Sequence, residues 1–597
     1  MTSVLQRFIL AATFAPQLVH SIPSPRADIN SAQNQDERSL CENSASNRTC
    51  WGQYDINTDY YESWPTTGVV REYWLNAEQI TLSPDGYETT VQVFNGSLPG
   101  PTIEADWGDE IVVHITNSLP DNGTSIHWHG IRQFNNSQND GTPGVTQCPI
   151  PPGDAMTYRF QATQYGTSWY HAHFSLQMAN GLFGPIVIHG PTTSNYDIDL
   201  GPVMLQDRYH ENVWHIWEKY QRVFNIEGPS KVIAPNGLIN GLNPYDCSDN
   251  DDAACVGGVT ARYNTTFEPG KKQLMRLVGA QTDGYMKFTI DGHTLTVVAA
   301  DFVPIVPYTT DNVILASGQR YDVIVEADQP VGSYWLRAIY QTACNFNDND
   351  NKDNILGIVY YDGASSTAEP TTTVSDGINN SCGDEDYDNL VPWVKHTVDD
   401  KEEQNYLGVG WYYDTSLVLH WTMHDGYLSV NWSDPTLAYA YNGVSEDDYP
   451  ANSNSANIDA PGKWVHWVIQ DLTLTNAYHP MHLHGHDFYI LAQGRGVYIP
   501  LITKLNKDNP PRRDTVSLYG TGYTVIAFKL DNPGAWLFHC HIAWHASQGL
   551  AMQLIENQSQ IPSVVGDDTE MNAQCVAWDS FYSSPDGQDY QQDDSGI

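Results

Sequence analysis

Basic residues are scarce in this chain of 597 residues: 28 Lys and Arg stand against 71 Asp and Glu, a formal charge of −43. A surface so negative repels polyanions, which argues against binding nucleic acid or docking on an anionic membrane. Its self-repulsion falls as carboxylates protonate, so an acidic working environment suits it. Long apolar runs are missing as well. Beyond the N-terminus nothing approaches the roughly 20 apolar residues a membrane span needs. Helical periodicity is sparse. Cysteine is limited to nine positions, an odd number.

What is present is strand material. Short runs rich in Val, Ile, Thr, Tyr and Trp recur between Gly, Pro and Asn turns, as in GDEIVVHITNSLP and RYDVIVEADQPVGSYWLRAIY. This predicts an all-β protein of sandwich domains, and the length calls for about three or four of them. Residues 1–21, with Arg7, an apolar stretch and a small residue near Ser21, read as a secretory signal peptide. Residues 22–65 read as a propeptide and N-terminal arm. Sandwiches are expected over 66–190, 191–365 and 390–566, with a polar linker at 366–389 and an acidic, turn-rich tail at 567–597. The mature protein is expected to be soluble, extracellular and monomeric. Sequons at Asn47, Asn95, Asn122, Asn135, Asn264, Asn379, Asn431 and Asn557 fit that compartment, with several of them glycosylated.

The chemistry concentrates in WLFHCHIAWHASQGL, Trp536 to Leu550. Side chains alternate along a strand, so His539 and His541 point one way and Cys540 the other. One strand then serves two metal sites. A thiolate with imidazoles, here Cys540 with His479 and His545, is the soft donor set of a blue, electron-transferring copper. Three further HxH pairs occur, His127 with His129, His171 with His173, and His482 with His484. With His539 and His541 they supply eight imidazoles, enough for three coppers with positions left open for dioxygen.

An internal repeat orders these sites. His171, Ala172 and His173 precede Gly181 and Leu182 at the same offsets at which His539, Cys540 and His541 precede Gly549 and Leu550. That register sets Gln177 against His545, and the HxHG pieces set Thr124 against His479. Every thiolate-site ligand is thus replaced in the first copy, and the middle copy keeps only a histidine-free GSYWLRA strand. The expected architecture is three copies of one copper-binding sandwich, the first and third sharing their HxH pairs across an interface. If Cys540 is a ligand, eight cysteines remain for four disulfides. Spacing pairs Cys41 with Cys50 and Cys247 with Cys255, and leaves the others open.

The motifs HWHG, WYHAH, HPMHLHGH and HCHIAWH together resemble those of the multicopper oxidases, in particular the three-domain laccases of ascomycete fungi. The resemblance covers nearly the whole mature chain. It implies cupredoxin-like Greek-key domains and four copper ions: a type 2 copper on His127 and His482, a type 3 pair on His129, His171, His541 and on His173, His484, His539, and a type 1 copper on His479, Cys540 and His545. It implies one-electron oxidation of phenols and related aromatics at the type 1 copper, through the edge of His545, coupled through Cys540 to four-electron reduction of dioxygen to water. Lignin degradation and detoxification of phenolics need the same chemistry. Bilirubin, ascorbate or ferrous-ion oxidation, or a non-catalytic extracellular copper-binding protein, are the competing readings.

The family's framework also joins Cys148 to Cys575 and Cys344 to Cys382. Leu550 takes the axial position of the type 1 copper without a donor atom. The C-terminal DSGI resembles the tail that plugs the solvent channel of ascomycete laccases. Asp140, after HWHG, is the candidate carboxylate beside the type 2 site. Many basidiomycete laccases carry an Asp where this chain has Ala543. A substrate-pocket carboxylate is harder to place, with Asp251 or Asp252 as the candidates near GGVTARYNTTF.

Overall fold

The computed structural model describes residues 41–222, 232–248, 250–344, 347–366, 369–399, 401, 403–588 and 592–597. The expected signal peptide and the part of the arm up to residue 40 lie outside them. From Cys41 onward the chain forms one compact unit. The rest of the N-terminal arm, residues 41–65, is packed against the body. Ile56 and Tyr60 sit in the first buried core, and the Tyr60 hydroxyl donates to Asp487 at 2.8 Å. The arm's aromatics, not its polar stretches, decide its fate.

Apart from two small two-stranded sheets, the strands of the described residues segregate along the chain into three pairs of sheets. One sheet of each pair has the same order: a parallel first pair, then two antiparallel pairs. In the first sandwich it runs Ile103–Asp106, Phe183–His189, Gly166–Ala172, Ile126–Trp128. In the second it runs Asn264–Phe267, Leu356–Tyr361, Ser333–Tyr340, Tyr285–Ile290. In the third it runs Ser455–Ile458, Ala551–Glu556, Gly534–Cys540, His479–Leu483. The GSYWLRA strand therefore occupies the place of the HCH strand, as the repeat requires.

Packing explains why these segments are strands. Gly534–Cys540 is buried along its whole length: Trp536 and Phe538 enter a cluster that also holds Trp169 of the first sandwich and Met204 of the second, while Leu537, on the other face, enters a separate one. Each such side chain contributes about 1.5–3 kcal/mol by leaving water, an upper estimate because unfolded chains are already partly collapsed. Among the described residues no helix is long and apolar enough to cross a membrane.

Disulfides join Cys41 to Cys50, Cys148 to Cys575, Cys247 to Cys255 and Cys344 to Cys382, and Cys540 is free and buried. The tail differs from expectation, because Thr569–Tyr582 is an α-helix. Met571, Cys575 and Trp578 fall at i, i+4 and i+7, one helical face. Met571 and Trp578 are buried there, and Cys575 ties that face to the first sandwich.

Candidate metal centre

Two antiparallel strands of the third sandwich, His479–Leu483 and Gly534–Cys540, carry the first site. Their register sets Met481 opposite Cys540 and His482 opposite His539. Alternation then sends Cys540 towards His479, and the short helix Ala543–Ser547 returns His545 to the same point. The Cys540 Sγ lies 3.6 Å from Nδ1 of His479 and 3.6 Å from Nδ1 of His545, and the two Nδ1 atoms are 3.1 Å apart. Burial raises the Cys540 thiol well above its ordinary range and lowers both imidazoles. Without a cation, the low dielectric disfavours the thiolate. A soft metal ion at the centre of these three atoms reverses that preference.

Leu550 is fully buried and brackets this loop through its backbone. Its carbonyl accepts from the Cys540 N–H and its own N–H donates to the His545 carbonyl, both at 3.0 Å. The indole of Trp421 packs 4.3 Å from the His545 ring, and Tyr209 packs edge-on at 5.4 Å to Trp544. His545 thus has the Trp421 indole on one side while remaining 8% exposed.

Behind Cys540, eight imidazoles converge from the first and third sandwiches. His127 pairs across strands with His171 in the same way that His482 pairs with His539. The two sets stack on each other, His127 on His484 at 3.7 Å and His129 on His482 at 3.8 Å. Nε2 of His484 and His539 approach to 3.3 Å, and with His173 they form one group of three nitrogens. His541 Nε2 is 3.2 Å from His129 Nδ1, and the His171 ring lies 5.2 Å from that of His541. His127 gathers with His482 and His484. Nε2 of His127, His171, His173 and His482 is buried with no hydrogen-bond partner. Such orphaned acceptors cost about 1–3 kcal/mol each, and burial with mutual repulsion keeps His173, His482, His484, His539 and His541 neutral. Neutral imidazoles presenting lone pairs to one point are a donor set for copper ions.

Except in His173, whose two ring nitrogens are both without a hydrogen-bond partner, the other ring nitrogens are anchored. Asp140, fully buried, accepts at Oδ2 from His484 Nδ1 at 2.8 Å, and its carbonyl from His127 Nδ1 at 2.9 Å. The next residue, Gly141 (φ +86°), has no room for a Cβ, which would lie 1.7 Å from the Ile126 carbonyl oxygen. That close approach holds the Asp140 turn against the HWH strand. His171 and His539 use carbonyls of their own strands, and His482 the Asp514 carbonyl at 2.8 Å. Such partners fix which nitrogen faces a metal.

Several functional positions escaped the sequence reading. Asp514 is buried, lies 3.2 Å from His129 Nε2 and is gripped by Arg320 through two bonds of 2.7 and 2.6 Å. Burial pushes its carboxyl up, and the Arg320 guanidinium beside it acts in the opposite direction. Asp251 and Asp252 are exposed, and Asp252 is engaged by the Tyr87 hydroxyl, so neither is a buried pocket acid. Asp207 is. It accepts the N–H groups of Thr282 and Asp283 at 2.7 and 2.9 Å, and Thr282 in turn accepts from the Ala543 N–H beside the type 1 loop. Burial raises Asp207 to about 6. No motif flagged it, because it lies near the end of the strand Ile198–Arg208, in the sandwich that has no HxH pair.

At the C-terminus, Ile597 is buried and shares a small cavity with His171, His173, His539 and His541. Ser595 donates to the Ser547 and Ala546 carbonyls, and Asp594 accepts from the Ser175 hydroxyl. Among the sequons, Asn557 is buried with its amide donated to the Leu530 carbonyl. A glycan has no room there in the folded chain, which removes Asn557 from the expected set.

This arrangement of three cupredoxin-like sandwiches and two histidine-rich metal sites defines a class, and the chain belongs to the multicopper oxidase family. Family profiles described as multicopper oxidase match residues 76–193, 199–364 and 429–560. Its relatives are fungal: it is 46% identical to Laccase-2 of Botryotinia fuckeliana, over 98% of each chain. It is 48% identical to Oxidoreductase OpS5 of Beauveria bassiana, over 99% of this chain and 98% of that one. The crystal structure of the laccase from Botrytis aclada superposes with a TM-score of 0.87 at 46% identity, covering 93% of this chain and all of that one. The protein is an oxidoreductase, and copper is the cofactor its family implies.

Proposed function

We propose that the protein is a secreted laccase that oxidises phenols and related aromatic reductants with dioxygen. The observation that carries this reading is the position of Cys540, whose Sγ completes the His479–His545 site while its neighbours His539 and His541 enter the eight-histidine cluster. Four coppers fit the donor sets: type 1 on His479, Cys540 and His545; type 2 on His127 and His482; type 3 on His129, His171, His541 and on His173, His484, His539. When bound, they supply one-electron oxidation at the first site and four-electron reduction of dioxygen to water at the other three. The chain's own part is to join them by the covalent bonds from Cys540 to His539 and His541, and to keep bulk water out of both.

The Trp421 indole against His545 suits a flat, apolar reductant. Asp207, two hydrogen bonds from the type 1 loop, is the carboxylate placed to accept the proton a phenol releases as it loses an electron. Asp140, the carboxylate beside the type 2 site, orients His484 and His127. The DSGI tail acts as a plug, supported by Ile597 in the cavity beside His171 and His173. Export through a signal peptide, glycosylation at several exposed sequons and a monomeric state complete the proposal, with lignin degradation and detoxification of phenolics as the tasks it suits. Oxygen uptake measured in parallel with a phenol, ascorbate, bilirubin and ferrous ion tests it. Turnover highest on the phenol is expected. Preference for ferrous ion, bilirubin or ascorbate would assign another multicopper oxidase activity.

A further inference from the structure

The middle sandwich holds no proposed copper ligand, yet one of its turns reaches the histidine cluster. Ser317, Gly318 and Gln319 follow the strand Val313–Ala316 and, with Arg320, the first residue of the strand Arg320–Glu326, make a four-residue turn. Gly318 (φ +88°) passes so close that a Cβ there would lie 2.9 Å from His129 Cε1 and 3.1 Å from His541 Cδ2. Gln319 donates to the Thr515 carbonyl at 3.1 Å, seating the turn against the third sandwich.

The hydrogen bonds of this turn have a definite direction. The Ser317 hydroxyl has a single proton, and it is given to the Gln281 carbonyl at 2.5 Å, a group that can only accept. The same oxygen lies 3.0 Å from His541 Nδ1, so it must accept there. His541 is thereby held with its proton on Nδ1 and its lone pair on Nε2. On the other side, the Asp514 carboxylate, fixed by the Arg320 fork, faces His129 Nε2 at 3.2 Å. His129 is held with its proton on Nε2 and its lone pair on Nδ1. These two lone-pair nitrogens, His541 Nε2 and His129 Nδ1, are the ones that converge to 3.2 Å.

We propose that Ser317 and Arg320 are positioning residues, a tautomer lock through which the ligand-free middle sandwich holds His129 and His541 ready for one copper of the type 3 pair. The inference rests on the oxidase reading above and adds to it a role for the middle domain. Opposite tautomers are required of two histidines on different sandwiches, and one four-residue turn imposes both.

The test is copper retention against a graded chelator in full-length Ser317→Ala, Ser317→Thr and Arg320→Lys, followed by the near-ultraviolet type 3 band and the blue type 1 band. Ser317→Ala is expected to release the type 3 copper about 10–100-fold more readily, as loss of such an outer partner does elsewhere, with the blue band intact. Ser317→Thr, which keeps the hydroxyl, is expected to restore retention. Arg320→Lys, which keeps the charge but loses the fork on Asp514, is expected to weaken the same copper. Wild-type retention in both Ser317→Ala and Arg320→Lys overturns the lock. So does loss of both bands together, which signals collapse of the fold. A wild-type chain with no type 3 band would instead overturn the oxidase reading itself.

Discussion

Thr124 and Gln177 are hydrogen-bonded at 2.7 Å in the buried interior of the first sandwich, at the positions that His479 and His545 hold in the third. Ala172 stands beside them where Cys540 stands. The first copy keeps the geometry of a mononuclear site and has replaced its donors by a neutral polar pair. Thr124→Val leaves the Gln177 Oε1 without that donor and is expected to cost about 1–3 kcal/mol, read as a shift in the denaturation midpoint. Copper content should not change. A lost copper would mean that the first sandwich binds metal here.

The resemblance to laccases implies that Leu550 stands at the axial position of the type 1 copper, where Leu550→Met would bring a thioether. Axial donation stabilises copper(II) over copper(I), so the type 1 potential should fall. The swap is close in volume and should cost less than about 1.5 kcal/mol. A redox titration with an unchanged or raised potential at full copper loading would contradict the axial placement of Leu550.

Repeat and ligand pairs were legible in the sequence because they are local. An HxH pair announces itself by alternation, and offsets from Cys540 to Leu550 survive without any tertiary information. Asp514, Ser317, Arg320 and Asp207 were not legible, since each acts on a residue distant in the chain and none sits in a spaced motif. The Asn557 sequon misled for the same reason, its burial being decided by the Leu530 strand end. The helix Thr569–Tyr582 was hidden by acidic residues on its outer face, although Met571, Cys575 and Trp578 carried the period.

Removing Asp594–Ile597 should disturb oxygen reduction or copper retention in the cluster more than the KM for a phenol, because Ile597 faces His171 and His173 rather than His545. A C-terminal extension should act in the same direction. Steady-state kinetics in varied oxygen and varied phenol separate the two sides, and unchanged turnover in both variants would contradict a plug.

Asp207 gives a pH signature. Its folded carboxyl is raised to about 6 by burial, above the unfolded value of about 3.9. The folded state therefore binds the proton more tightly, and the stability it confers is full below about pH 4 and lost as pH rises through 6. Asp207→Asn, neutral throughout, should flatten the thermal midpoint between pH 4 and 6 relative to wild type. Parallel profiles would contradict the assignment.

The central claim is that one strand, through Cys540, joins a single thiolate copper to a separate three-copper cluster. Metal analysis and the visible spectrum of wild type and Cys540→Ser test it most directly. Wild type should bind four coppers with one intense blue band. Cys540→Ser should bind three, lose the blue band and phenol oxidation, and keep the near-ultraviolet type 3 band. Two coppers remaining in the variant, or a blue band that survives it, would contradict the account.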